Sequence, residues 1–173
     1  MITILTDNCN PISQILYDNI LNSLQHHQLT CTCGHSGCLS VHGYYYRRLK
    51  FETSFINLRI RRMICSICKT THAILLSSIV PYSQISLQDQ VTIIECHKRS
   101  EDFTPIMEAH PSIDESNIRY VIKQYLCHWL ERLLSASLSL CSTKDFVDRC
   151  FSNFNRQFMQ IKRTPNVLFF KPT

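Results

Sequence analysis

Five cysteines lie in two groups whose spacing suits one metal ion. The downstream group is Cys65-Ser-Ile-Cys68, in which two thiolates from a single turn can reach the same ion. The upstream group precedes residues 39–64 and has the spacing Cys31-x-Cys33-x4-Cys38. Four sulfur ligands in tetrahedral geometry are typical of a structural Zn²⁺ site. The sequence therefore predicts a zinc ion held between two distant pairs of cysteines.

The spacing leaves the upstream pair undecided. Any two of Cys31, Cys33 and Cys38 can supply it, because the loop between them contains two glycines. Since five cysteines compete for four positions, we expect one of them to be spare. A histidine in place of one cysteine is an alternative, and the candidates are His35, His42 and His72.

Basic and aromatic residues are concentrated in the same part of the chain. Residues 31–72 contain seven Lys or Arg and one acidic residue, a net charge of +6, whereas the whole chain carries +5. A localised cationic patch is typical of polyanion binders, and tyrosines beside it can stack on bases. A solvated face that only aids solubility is the alternative. The DNA contacts expected here are Tyr44, Tyr45, Tyr46, Arg47, Arg48, Lys50, Arg59, Arg61, Arg62 and Lys69.

The composition is that of a folded globular protein. Its 173 residues, 45% hydrophobic and 18% charged, suit one ordinary domain or two small ones. No apolar run approaches the length of a membrane span, and the first residues lack the basic region of a secretory signal. We therefore expect a cytoplasmic protein that makes no membrane contact and keeps its thiols reduced, which favours a metal over a disulfide scaffold.

A β-hairpin must position the two cysteine groups. Residues 39–64 are rich in aromatic and β-branched side chains, and Ile56, Leu58 and Ile60 alternate with polar neighbours. Two strands joined by a turn near residues 52–54 are predicted. We assign residues 29–80 to this small zinc-ribbon β-hairpin module.

A docking helix is predicted before the ribbon, within residues 1–28. Asn10 can cap it and Pro11 suits its first position, so the helix is expected over residues 10–27. Its apolar stripe consists of Ile12, Ile15, Leu16, Ile20 and Leu24.

Residues 84–140 are predicted to be helical. Ser86 and Asp89 have the spacing of a capping box that begins a helix ending near Ser100. A short helix follows from Thr104 and stops before Pro111.

The next helix is predicted to be long. Ser112 and Glu115 have the spacing of a second capping box. Helix, short helix, turn and long helix is the order of a helix-turn-helix, and an ordinary helical bundle is the alternative. The predicted buried face is Val121, Ile122, Tyr125, Trp129 and Leu133. The outer face, with Tyr120, offers expected DNA contacts at Asn117, Arg119, Lys123 and Gln124.

Residues 141–173 are predicted to form an amphipathic helix over about residues 143–162, and then a tail. The tail is either a short strand or irregular. The apolar stripe of the helix consists of Val147, Cys150, Phe151, Phe154, Phe158 and Ile161. Such a stripe packs against its own domain, and a homodimer interface is the alternative. Overall, the sequence predicts an α+β protein, with a zinc-ribbon hairpin module and an all-α helix-turn-helix-like domain.

Two stretches carry a combined pattern of cysteines, histidines and arginines. They are "CTCGHSGCLSVHGYYYRRL" and "LRIRRMICSICKTTHAILLSSIVPYSQIS". The pattern falls on Cys31, Cys33, Cys38, His42, Gly43, Tyr44, Arg47, Arg62, Cys65, Cys68, Thr71, His72 and Ala73. It resembles a bacterial family of unknown function with an N-terminal zinc ribbon similar to that of mobile-element transposases. One departure is "LLSSIVPYSQ", where the family has Leu-Leu-Pro. The resemblance implies association with DNA.

Catalysis is not predicted. Transposase ribbons normally precede a domain whose carboxylates hold two metal ions, and this chain leaves no room for one. Its acids lie at helix starts or on outer faces, and those considered are Asp89, Glu95, Asp102, Glu108, Asp114 and Glu115. We predict a DNA-binding, transposase-like or mobile-element-associated protein without a catalytic domain. The alternatives are a protein-interaction module that uses the Phe-rich C-terminal helix, or a DNA-gripping subunit of a transposase, recombinase or nuclease.

Overall fold

The computed structural model describes residues 1–7, 12–51, 54–162 and 168–170. A 3-10 turn, His26–Gln28, follows the first helix. In chain order the elements are β1 (Ile2–Ile4), α1 (Gln14–Ser23), β2 (Leu39–Phe51), β3 (Ser54–Cys65), β4 (Thr71–Leu76), α2 (Leu87–Lys98), α3 (Thr104–Ala109), α4 (Glu115–His128), α5 (Leu130–Ser135), α6 (Lys144–Phe154) and β5 (Leu168–Phe170). The α+β class predicted from the sequence is confirmed.

The predicted hairpin is present between the cysteine groups. β2 and β3 are antiparallel, and their register runs from Leu39 opposite Cys65 to Phe51 opposite Ser54. Alternation of side chains gives the hairpin two faces, because residues directly opposite each other lie on the same face. Of the turn predicted near residues 52–54, residues 52 and 53 lie outside the described residues, and Ser54 is the first residue of β3.

The hairpin belongs to a larger sheet that the sequence analysis did not predict. Within the described residues, five strands pair in the order β2-β3-β4-β1-β5. β4 is antiparallel to β3, while β1 is parallel to both β4 and β5. The N-terminal segment therefore contributes a strand as well as a helix, and part of the tail, Leu168–Phe170, is a short strand.

Helix α1 is shorter than predicted. Ser13 caps it, since its side chain accepts a hydrogen bond from the N–H of Leu16. The expected cap at Asn10 and Pro11 lies outside the described residues, and residues 12 and 13, which come before the helix, are not helical. Its buried side chains are Tyr17 and Leu21.

The Tyr17 hydroxyl joins two strands where their direct pairing ends. It donates to the carbonyl of Ile74 and accepts from the N–H of Arg61, at 2.9 Å in each case. The last direct pair between β3 and β4 on this side is Arg62 with Ala73. A side chain from α1 thus satisfies two buried backbone groups, which fixes the helix to the sheet.

The helical half confirms one predicted cap and corrects another. Ser86 caps α2, accepting from the N–H of Asp89 as expected. The cap of α4 is Asp114 and not Ser112, because the Asp114 carboxylate accepts from the N–H of Asn117 and the Asn117 side chain accepts in return. The helix therefore begins at Glu115, and α2, α3 and α4 follow each other in the predicted order.

The C-terminal helix ends earlier than residue 162. Asn155 adopts a left-handed conformation, with φ of 51°, and ends α6 after Phe154. Phe158 lies beyond the helix but is fully buried, with its ring centroid 5.1 Å from Trp129 and 5.0 Å from Phe146. Most of the stripe packs into the helical core, in which Val147, Cys150, Phe151 and Phe158 are buried.

Two apolar clusters form the core. One is built by the sheet and α1, and includes Tyr17, Leu58 and Ile74. The other is built by the helices and is centred on Trp129, which is fully buried. The hairpin therefore shares a substantial core with β1, β4 and α1, unlike an isolated ribbon. In the part of the chain that the structure describes, no helix has the length and apolarity needed to cross a membrane.

Candidate metal centre and hairpin surface

Four of the five candidate cysteines converge at one end of the hairpin. The sulfur atoms of Cys31, Cys33, Cys65 and Cys68 all lie within 4.8 Å of one another. Sγ of Cys31 is 3.5 Å from Sγ of Cys68, and Sγ of Cys33 is 3.7 Å from Sγ of Cys65. Zinc–sulfur bonds of about 2.3 Å give a tetrahedron with edges of about 3.8 Å. The donor set and its spacing fit one tetrahedral ion, so this cluster could hold a metal.

A tight loop presents the upstream pair. The N–H of Cys31 donates to the carbonyl of His35 at 2.9 Å, and the N–H of Gly34 donates to the carbonyl of Cys31 at 2.8 Å. Gly34 and Gly37 both have positive φ, 87° and 69°, which suits glycine. The loop therefore turns the two thiols toward the same point.

The turn between β3 and β4 presents the downstream pair. The N–H of Cys68 donates to Sγ of Cys65 at 3.4 Å, and the N–H of Lys69 donates to the Cys65 carbonyl at 3.0 Å. Burial acts to raise the pKa of the Cys65 thiol, but hydrogen bonds led by those from the backbone N–H groups of Cys68 and Ile67 outweigh it and lower the pKa to about 6. The turn thus favours the thiolate form that a metal requires.

Cys38 is the spare cysteine of this arrangement. It is buried, but its thiol donates to the carbonyl of His35 at 3.1 Å and lies outside the four-sulfur cluster. Its carbonyl accepts from the N–H of Ser66 at 2.8 Å, which ties the start of β2 to the downstream turn. Of the three upstream cysteines, Cys31 and Cys33 are therefore the two that join the four-sulfur cluster.

The three candidate histidines differ in their relation to the cluster. Nε2 of His72 lies 3.3 Å from Sγ of Cys31, and the side chain is fully buried. Nδ1 of His35 lies 3.5 Å from Sγ of Cys33 on an exposed loop, whereas His42 is exposed on β2. Burial lowers the pKa of His72 to about 4, so its imidazole is neutral and can donate one N–H to the thiolate. His72 is thus placed beside the ligands and not among the four sulfurs.

One face of the hairpin exposes alternating rings and guanidinium groups. Tyr46 is 72% exposed, and Tyr44 and Phe55 are partly exposed beside it. The guanidinium carbon of Arg48 lies 3.6 Å from the centroid of Phe55, and that of Arg59 lies 4.7 Å from the centroid of Tyr44. We call this set, Tyr44, Tyr46, Arg48, Phe55 and Arg59, the exposed hairpin face.

Three of the predicted cationic contacts turn into the protein. Arg61 is 8% exposed and donates to the carbonyl of Leu21 and to Oδ1 of Asn22. Lys50 donates to the carbonyl of Ser112 and to Oδ1 of Asn117. The third, Arg47, is half-buried. It donates to the carbonyls of Val80 and Ser83.

The other predicted contacts of this segment are more open. Arg62 is half-buried and donates to Oγ1 of Thr71 at 3.1 Å. Lys69 is exposed in the downstream turn, with φ of 61°, and Tyr45 is half-buried on the face opposite the exposed hairpin face. Nine of the ten predicted residues therefore divide between the two faces of the hairpin, and Lys69 lies in the turn after it.

The outer face of α4 is partly committed to local contacts. Asn117 belongs to the capping box and also accepts from Lys50. Arg119 forms an ion pair with Glu115, one turn away. Lys123 is exposed, and Gln124 is half-buried near Tyr120.

The acids considered for catalysis either contact neighbouring residues or are exposed to solvent. Asp89 is buried, accepts from the Ser86 hydroxyl at 2.7 Å and lies 3.8 Å from His110. Asp102 accepts from the N–H of Thr104 at 3.1 Å, which holds its pKa below the ordinary value. Glu95 pairs with Lys98. Glu108 is exposed, and Asp114 and Glu115 have the capping and ion-pair roles given above.

Two residues of these surfaces were missed by the sequence analysis. Phe55 could have been found from strand alternation, since it shares the face of Arg59. Tyr82 lies in a turn after β4, and the preceding Pro81 is the sequence feature that indicates a turn there. Its φ of 63° has no sequence signal.

No curated protein and no solved structure matches the chain. A family model described as "Domain of unknown function (DUF6431)" matches residues 30–109. The matched range contains the five clustered cysteines, the hairpin, β4, α2 and α3. Residues 30–109 are therefore similar to the DUF6431 domain, and further elements lie on both sides of this range.

Proposed function

We propose that the protein is a zinc-stabilised DNA-binding protein of transposase-like or mobile-element-associated type, without a catalytic domain of its own. The observation that carries this proposal is the exposed hairpin face, where Arg48 and Arg59 lie against Phe55 and Tyr44. Guanidinium groups neutralise phosphates, and aromatic rings stack on bases, so the two together suit nucleic acid.

Zinc is the ion that the cluster suits best. Four thiolates at tetrahedral spacing form a closed set of soft ligands, which favours a structural zinc over Mg²⁺ or Ca²⁺. When bound, the ion links the loop of Cys31 and Cys33 to the turn of Cys65 and Cys68. The base of the hairpin is then held from both sides.

The two cations that turn into the protein, Arg61 and Lys50, support the proposal by positioning the hairpin. Arg61 anchors β3 to α1, and Lys50 joins the far end of β2 to the start of α4. They fix the hairpin relative to the rest of the protein, which keeps Arg48 and Arg59 in place. We assign the phosphate contacts to the exposed cations Arg48, Arg59, Lys69, Arg119 and Lys123.

The mobile-element association rests on the resemblance of the cysteine and arginine pattern to transposase zinc ribbons. The acids considered for catalysis either make capping or ion-pair contacts or, like Glu108, lie exposed. The exposed hairpin face could therefore also serve a subunit that holds DNA for a separate transposase, recombinase or nuclease.

Titration with duplex DNA over a range of salt concentrations tests the proposal. Affinity for DNA decreases as salt increases, and the magnitude of this slope on logarithmic axes should become smaller by about 0.9 for each phosphate contact removed. Arg48→Ala and Arg59→Ala should therefore each make binding less dependent on salt. Arg99→Ala is the matched control, because Arg99 is an exposed arginine outside the hairpin that pairs with Glu101. Affinity that is insensitive to salt, or equal effects in all three variants, would overturn the proposal.

A further inference from the structure

A trough borders the side of the sheet that carries Tyr45 and Arg47, and its rim includes Tyr46 and Arg48 of the exposed hairpin face. It consists of two adjoining cavities of about 610 Å³ and 350 Å³, which share Tyr82 and Ser83 in their walls. The larger cavity extends to Tyr45 on β2, and the smaller one to Tyr120 on α4. The trough therefore connects the hairpin with the outer face of α4.

The trough has the chemistry of a nucleic-acid surface. Its aromatic walls are Tyr45, Tyr46, Tyr82 and Tyr120, and its cations are Arg47, Arg48 and Lys162. Glutamine side chains lie between them at three positions, 84, 90 and 124. Among the described residues that line it there is no carboxylate. Rings, amides and the exposed cations Arg48 and Lys162 favour a polyanion with planar groups.

Tyr82 is held at the junction of the two cavities. It is 62% exposed and has a φ of 63°, a left-handed conformation that carries a conformational cost for a bulky side chain. Arg47 donates to the carbonyls of Val80 and Ser83, which flank Tyr82, and the N–H of Ser83 donates to the Val80 carbonyl at 3.1 Å. The guanidinium of Arg47 thus fixes the turn and keeps the Tyr82 ring at the surface.

We propose that the trough binds a single strand of nucleic acid, with one base stacked on Tyr82. This inference rests on the proposed function and adds the strandedness and the site. Bases in a duplex are already stacked on each other, so an exposed ring reaches a base face only in a single strand. Lys162, whose Nζ lies 5.5 Å from the Tyr82 ring centroid, is placed to contact the adjacent phosphate.

A tryptophan at position 82 gives a direct signal of stacking. The natural chain has one tryptophan, Trp129, which is fully buried. Titration of Tyr82→Trp with oligothymidylate should therefore quench fluorescence that comes mainly from position 82, whereas the unmodified protein should show almost no quenching. Unchanged fluorescence of Tyr82→Trp during binding would overturn the inference.

The variants used for affinity measurements must tolerate the positive φ of position 82. Tyr82→Asn removes the ring but tolerates positive φ, so the fold should be kept. It should weaken oligothymidylate binding by about 5- to 150-fold, the effect of losing one stacked base, and change duplex affinity less than about twofold. Tyr82→Phe should bind the oligonucleotide like the unmodified protein.

The outcomes separate this inference from the proposed function. Equal loss of single-strand and duplex binding in Tyr82→Asn, or no loss of either, would overturn the trough as a single-strand site while leaving DNA binding intact. Absence of binding to both probes at low salt by the unmodified, zinc-loaded protein would overturn the proposed function, and the inference with it.

Discussion

Sγ of Cys31 and Sγ of Cys68 lie 3.5 Å apart, although the two residues are 37 positions apart in the chain. One belongs to the loop before β2 and the other to the turn after β3. Their approach joins the two ends of the hairpin at a single point, and Cys33 and Cys65 complete the cluster. A metal here would therefore fix the base of the surface that we propose for DNA.

His72 should increase the metal affinity of the cluster. Its buried imidazole lies 3.3 Å from Sγ of Cys31, where an N–H can orient and stabilise the thiolate. We expect His72→Gln to weaken zinc binding by about 10- to 100-fold, the usual effect of losing a hydrogen bond to a ligand. Competition with a chromogenic chelator measures this affinity.

The matched control is His42→Gln, since His42 is exposed on β2 and outside the cluster. Its zinc affinity should be that of the unmodified protein. Equal affinities of the two variants would contradict the role given to His72.

Tyr17→Phe should destabilise the fold more than its small change in volume suggests. The substitution leaves the N–H of Arg61 and the carbonyl of Ile74 without their partner in a buried position. The expected cost is about 1–3 kcal/mol in the free energy of unfolding, measured by urea denaturation. Tyr46→Phe is the control, and it should change stability by less than about 0.5 kcal/mol because Tyr46 is 72% exposed. Similar stabilities of the two variants would show that the bridging hydroxyl contributes nothing.

The sequence was sufficient for features that depend on local spacing. The Cys65-x2-Cys68 turn, the alternation of β3 and the Ser86 cap each use residues a few positions apart, and each is present in the structure. The choice of Cys31 and Cys33 over Cys38 could not be predicted, since all three occupy one short loop and only its folded path separates them.

Features set by tertiary pairing were missed. β1 is three residues long and lies between β4 and β5, which come from distant parts of the chain. Arg61 alternates with apolar residues as an exposed strand position should, yet α1 covers it and supplies its hydrogen-bond acceptors. Tertiary context overrides the local pattern in both cases.

The correction at the start of α4 gives another test. Asp114→Ala removes a cap that accepts from the N–H of Asn117, and should cost about 0.5–2 kcal/mol of stability. Ser112→Ala should cost almost nothing, because the Ser112 hydroxyl is buried and, among the described residues, has no hydrogen-bond partner. Thermal unfolding of the two variants measures the difference. A larger loss of stability in Ser112→Ala than in Asp114→Ala would show that Ser112 is the cap, as the sequence predicted.

Metal analysis of cysteine variants tests the central claim most directly. Protein loaded with zinc and passed through a desalting column should retain one ion per chain, and Cys38→Ser should retain the same amount because its thiol lies outside the cluster. Cys31→Ser and Cys68→Ser should each lose most of the zinc, since each removes one of four ligands. Zinc loss in Cys38→Ser equal to that in Cys68→Ser, or an unmodified protein that retains no metal, would contradict the account.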